Sequence, residues 1–178
     1  MQISRSQTKG SEGLRKPIRC ETASHVVLSV SLNHEDCASL ERIFKPGWTV
    51  IASATIASAL SVLRETPIPI VICDCDITPG TWGEMLDRIS LLSDPPLLIV
   101  TSRLADERLW AEALNLGAWD VLAKPFDVDE VVRIVGVAWQ HWQDRHHVHI
   151  NRTAQRKSAN GTEYRAASGP EYMAATGT

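Results

Sequence analysis

The sequence predicts an α/β fold in which a parallel sheet is covered by helices on both faces. Three observations carry that expectation. Short apolar runs alternate five times with amphipathic segments between residues 25 and 143. The connections between them are short. The third run, Ile68 to Cys73, is apolar at nearly every position, the pattern of a strand buried on both faces. Strict β-α alternation with short, right-handed connections leaves few other architectures.

The elements follow in order. Val26 to Val30 forms the first strand. A helix from about Glu35 to Lys45 puts Cys37, Leu40 and Phe44 on one face, and Pro46 and Gly47 end it. Thr49 to Ala52 is the second strand, and Thr55 caps a helix whose apolar face is Ile56, Ala59, Leu60 and Leu63. After the third strand comes the loop Thr78-Pro79-Gly80. Trp82, Met85, Leu86, Ile89 and Leu92 then recur at helical spacing. Pro95 and Pro96 lead into the fourth strand, Leu97 to Val100. The fourth helix runs from about Ala105 to Leu116 and stops at Gly117. Trp119 to Ala123 is the fifth strand. Asp127 caps a last helix with Val128, Val131, Val132, Val135 and Trp139 on its face.

Composition sets the class. With 178 residues, 44% hydrophobic and 22% charged, the chain suits one ordinary globular domain. Its net charge of −3 divides into +3 on residues 1–24, +2 on residues 144–178 and therefore −8 between them. An acidic centre argues against nucleic-acid binding, which needs a concentrated basic face. The first residues contain no apolar signal-peptide core and no stretch approaches a membrane span, so the cytoplasm is expected, with no membrane partner. Residues 1–24 and 144–178 lack apolar periodicity. They are expected to be a disordered arm and a disordered tail around a domain at 25–143, with no output module in the tail. His146, His147 and His149 read as a helix end rather than a metal tract, and the sequons at Asn151 and Asn160 carry no meaning without secretion. Cys73 and Cys75, flanking Asp74, are expected to point apart and to form neither a disulfide nor a zinc site.

Chemistry is expected beyond the carboxyl ends of the central strands. Strand three ends in Cys73-Asp74-Cys75-Asp76, strand four in Thr101-Ser102 and strand five in Lys124-Pro125-Phe126. A carboxylate, a hydroxyl and an ammonium on neighbouring strand ends suit phosphoryl transfer to the carboxylate. The ammonium and hydroxyl would hold the phosphoryl oxygens.

The segment from Gly117 to Asp127, GAWDVLAKPFD, resembles the end of response-regulator receiver domains. Ile99-Val100-Thr101-Ser102 is similar to their fourth strand, and Pro79-Gly80 with Gly83 to their loop after strand three. The resemblance implies a flavodoxin-like three-layer α/β/α sandwich, with a five-stranded parallel sheet in the order 2-1-3-4-5. It implies a phosphoacceptor aspartate at the end of strand three, assisted by Thr101 and Lys124, and a cis Lys124–Pro125 bond. Asp74 is the favoured acceptor. Counting back without a gap from Pro79 and Gly83 selects Cys75 instead, and Asp74 needs one extra loop residue.

Two further departures stand out. Receivers typically follow strand one with two acidic residues that hold Mg2+, whereas this chain has Ser31-Leu32-Asn33, and Glu35 and Asp36 should already be helical. Uncharged residues are poor ligands for a hard dication. No cofactor is therefore expected and Mg2+ should bind weakly at best, with Asp76 as a replacement metal ligand and Ser31 or Asn33 as other residues that would help hold a weakened ion. The aromatic switch residue of many receivers is Val121 here. Trp119, two residues earlier and expected on the same face, is a substitute.

The expected function is a non-enzymatic bacterial receiver in two-component or phosphorelay signalling, with Mg2+-dependent phosphorylation weakened or lost. The alternatives are a conventional phosphoacceptor using Asp74 and, more remotely, an α/β enzyme with Cys73 or Cys75 as nucleophile. The resemblance implies a histidine kinase or phosphotransfer protein upstream and a signalling protein downstream. Contact, including self-association as a homodimer, would run through helix four, strand five and helix five. Trp110, Trp139 and Trp142 are contact residues there if exposed.

Overall fold

The computed structural model describes residues 25–45 and 47–163, with side chains to residue 146. Its elements are β1 Val26–Val30, α1 His34–Phe44, β2 Thr49–Ser53, α2 Ile56–Glu65, β3 Ile70–Asp74, α3 Trp82–Ser90, β4 Leu97–Ser102, α4 Glu107–Leu116, β5 Asp120–Ala123 and α5 Val128–Glu163. The strands are parallel and lie in the order β2-β1-β3-β4-β5. From β1 the chain moves outward to β2, then crosses back to β3 and proceeds the other way. The order therefore reverses between β1 and β3, and a crevice opens at their carboxyl ends.

Side-chain alternation along the strands divides the interior into two cores. Leu28, Val30, Val71, Val100 and Val121 meet α2, α3 and α4 through Ile56, Ala59, Met85, Ile89 and Ala113. Val27, Ile70, Ile72, Ile99 and Leu122 meet α1 and α5 through Leu40, Phe44, Val131, Ile134 and Val135. Each large aliphatic side chain taken fully out of water contributes about 1.5–3 kcal/mol. The helices start where a cap accepts from the first turn: Asn33, Thr55, Thr81 and Asp106 each accept a backbone N–H, and Asp127 accepts from Glu130. Gly117 closes α4 at φ +104°.

In the loop between β3 and α3, Gly80 sits at φ +99°, and a Cβ there would lie 2.7 Å from Ile56 Cδ1. Only glycine fits that turn without strain.

The structure corrects several expectations. On α5, Val128 and Val132 are 54% and 50% exposed, because the buried stripe runs through Val131, Ile134, Val135, Ala138, Trp139 and Trp142 instead. Trp139 and Trp142 are thus core residues and offer no exposed contact. They stack on each other, with centroids 5.8 Å apart, and Trp139 meets Trp48 and His25. Trp110 is half-buried against the other core.

The tail expected from residue 144 is helical through Glu163. No proline occurs between residues 126 and 169, and lengthening an anchored helix needs no new nucleus. The first residues past 143 also hold to the body. Arg145 Nη2 donates to the Pro95 carbonyl at 3.1 Å, and His146 pairs with Asp94. The N-terminal arm at 1–24, Pro46 and residues 164–178 lie outside the described residues. Among the described residues, no helix is long and apolar enough to cross a membrane.

Candidate functional site

At the carboxyl ends of the central strands the structure brings together Asp74 and Lys124, with Thr101 beside Asp74 on the neighbouring strand. In register, Asp74 lies opposite Thr101, and Thr101 is buried. The ladder continues past the strands: Cys75 N–H donates to the Thr101 carbonyl and Lys124 N–H to the Ser102 carbonyl, both at 2.8 Å. These bonds fix the backbone on either side of β4, so Asp74 and Lys124 approach each other across it. Lys124 Nζ reaches Asp74 Oδ2 at 2.8 Å, with side chains 9% and 12% exposed. The Lys124–Pro125 bond is cis, as the resemblance implies.

A fourth participant comes from α1. Asp36 Oδ2 accepts from Lys124 Nζ at 2.6 Å and from Ser31 Oγ at 2.9 Å. The Ser31 hydroxyl also stands 3.2 Å from Asp74 Oδ2, so its single proton serves two carboxylates. The outer oxygens are held as well. Asn33 Nδ2 donates to Asp36 Oδ1 at 3.2 Å, and Asp76 N–H to Asp74 Oδ1 at 3.3 Å.

Two carboxylates thus share one ammonium, leaving the cluster one negative charge in excess. Burial works against the Lys124 ammonium. The hydrogen bonds to Asp36 and Asp74, with their charges, outweigh it and raise the lysine above its ordinary value.

Sequence reasoning left Asp36 out of the site. Its signal is spacing: residues 36, 40 and 44 fall on one helical face, and Leu40 and Phe44 are core residues. An acid on a buried stripe requires a partner.

The donor set does not fit Mg2+. Every oxygen of Asp36 and Asp74 already accepts from the protein, and Leu32 is half-exposed and supplies no ligand atom. Asp76, the replacement ligand expected from the sequence, turns outward. Its side chain is 64% exposed and 3.5 Å from Arg103, a solvent-screened pair worth little. Asp74, Cys75 and Asp76 do offer ligand atoms within 4.8 Å of one another, but the third is a sulfur, which suits softer ions than Mg2+.

Two expectations about side-chain direction are corrected. Cys73 is a core residue on the α2–α4 side and Cys75 packs against the same core, since residues two apart on a strand share a face. Neither thiol is activated: burial, with the Asp74 charge behind it, pushes Cys73 up to about 12, and burial raises Cys75. Trp119 and Val121 lie on opposite faces. Val121 belongs to the α2–α4 core, whereas Trp119 packs on the α1–α5 side against His141, centroids 4.8 Å apart. Trp119 stands just before β5, where its ring turns to the α5 side.

The sequence matches the family described as "Response regulator receiver domain" over residues 27–136. It is 28% identical over 124 residues to the regulatory protein VirG of Rhizobium radiobacter, a match covering 68% of this chain and 45% of the relative. It is 30% identical over 94 residues to the sporulation initiation phosphotransferase F of Bacillus subtilis, covering 52% of this chain and 75% of that one. The chain therefore spans less than half the length of VirG. Its fold is similar to the signal receiver domain of an HD domain-containing protein from Pseudomonas fluorescens. The TM-score is 0.65 at 21% identity, covering 74% of this chain and 98% of the other.

Proposed function

The chain belongs to the response regulator receiver domain family of two-component signalling, and we propose that it acts through protein–protein contacts with Mg2+-dependent phosphorylation of Asp74 weakened or lost. One observation carries this reading: the acidic oxygens at the crevice are already engaged by Lys124 and by donors of the chain itself, with no carboxylate at the end of β1. Phosphoryl transfer to a carboxylate gathers negative charge. A site already one negative charge in excess opposes it.

The partners proposed are a histidine kinase or phosphotransfer protein and a downstream signalling protein. Leu114 and Leu116 on α4 and Val128 and Val132 on α5 are about half-exposed, which supports contact, or self-association, through these helices with β5.

The conventional phosphoacceptor reading draws on the 2.8 Å contact of Lys124 with Asp74. Intact-mass measurement separates the two after incubation with a small phosphodonor and Mg2+. We expect little or no adduct on wild type and none on Asp74→Ala. A Mg2+-dependent phosphoryl adduct on wild type, lost in Asp74→Ala, would establish the conventional reading. The cysteine-nucleophile reading gains no support, because both thiols are held protonated.

A further inference from the structure

We infer that Asp36 is the positioning residue of the acceptor site: from the first turn of α1 it supplies the carboxylate that β1 does not, and holds the Lys124 ammonium against Asp74. The inference rests on the reading above that Lys124 engages the acids of this crevice.

Three features of geometry support it. Asp36 makes the shorter of the two Lys124 contacts, 2.6 Å against 2.8 Å for Asp74. Its own orientation is fixed independently, by Asn33 on Oδ1 and by Ser31 on Oδ2. Asn33 in turn is the α1 cap, accepting from Glu35 N–H at 3.0 Å, so capping the helix and aiming the carboxylate are done by one side chain. Ser31, at the end of β1, bridges both acids, which places the Asp36 carboxylate where an acid at position 31 would reach. The residue acts through Lys124 and touches no reacting group. It ties the start of α1 to the ends of β3 and β5.

Lys124 reactivity tests this directly. The protein is labelled with an amine-reactive ester without phosphodonor or Mg2+, and modification of Lys124 is compared with that of exposed Lys45 by peptide mass spectrometry. An Asp74 that proves to be phosphorylated leaves this assay untouched. Lys124 should be protected in wild type. In Asp36→Asn, which keeps the size of the side chain, Lys124 should label about tenfold faster, the equivalent of one pKa unit, with Lys45 unchanged. Adding Ser31→Asp to Asp36→Asn should restore protection, which a purely packing role of Asp36 would not produce. Unchanged Lys124 labelling in a folded Asp36→Asn protein overturns the inference. If the single variant unfolds, the double variant decides: protection of Lys124 upholds the assignment, and Lys124 labelling as fast as Lys45 overturns it.

Discussion

Removing the ammonium of Lys124 and removing the carboxylate of Asp36 are unequal perturbations, because one cation serves two acids that are largely out of solvent. Lys124→Met leaves both carboxylates unneutralised and should cost about 3–5 kcal/mol in denaturant unfolding near neutral pH. Asp36→Asn leaves a neutral Lys124–Asp74 pair and should change stability by no more than about 1 kcal/mol. The same cluster sets a pH dependence. Lys124 is raised in the folded state, so its contribution is fully present below the unfolded lysine value of about 10.4 and is lost as pH climbs through the higher folded value. Thermal melts of wild type should therefore fall more steeply above that pH than those of Lys124→Met. Parallel curves for the two would remove the ion cluster from the account. At this scale the sequence was partly legible. Asp74, Thr101 and Lys124 were found because strand ends converge in a doubly wound sheet. Asp36 was not, because a helix-borne acid reaches the site only through the rotation of α1, which depends on where Leu40 and Phe44 find the sheet.

Helices and strands were legible wherever local pattern and tertiary packing agree. The apolar runs that marked β1 to β5 supply side chains to both cores. The disagreements have a common cause. Val128 and Val132 fit an apolar stripe as well as Ile134 and Ala138 do, and only the position of α5 on the sheet chooses between them. Residues 144–163 carry no amphipathic stripe, yet they continue a helix already nucleated and anchored. Two substitutions probe elements directly. Trp139→Ala opens the aromatic group joining α5 to Trp48 and His25 and should cost about 3–5 kcal/mol in equilibrium unfolding. Gly117→Ala meets no neighbour, so its cost should be the positive-φ penalty alone, about 1 kcal/mol.

For the molecule as a whole, the reversal of strand order between β1 and β3 concentrates the charged cluster in one crevice while the central strands β1 and β3 stay buried on both faces. The topology is that of a receiver, and Asp74, Thr101 and Lys124 all lie at the carboxyl ends of its strands. What this crevice shows is an ammonium shared by two acids, one of them from a helix, with both oxygens of Asp36 and of Asp74 accepting from the chain itself. A Mg2+ titration of the wild-type chain, followed at the backbone amides of Asp74, Cys75 and Asp76 by NMR, tests this most directly. At millimolar Mg2+ those amides should stay in place. Saturable shifts centred on them in that range would contradict a crevice whose carboxylates are taken up by Lys124 and the chain's own donors.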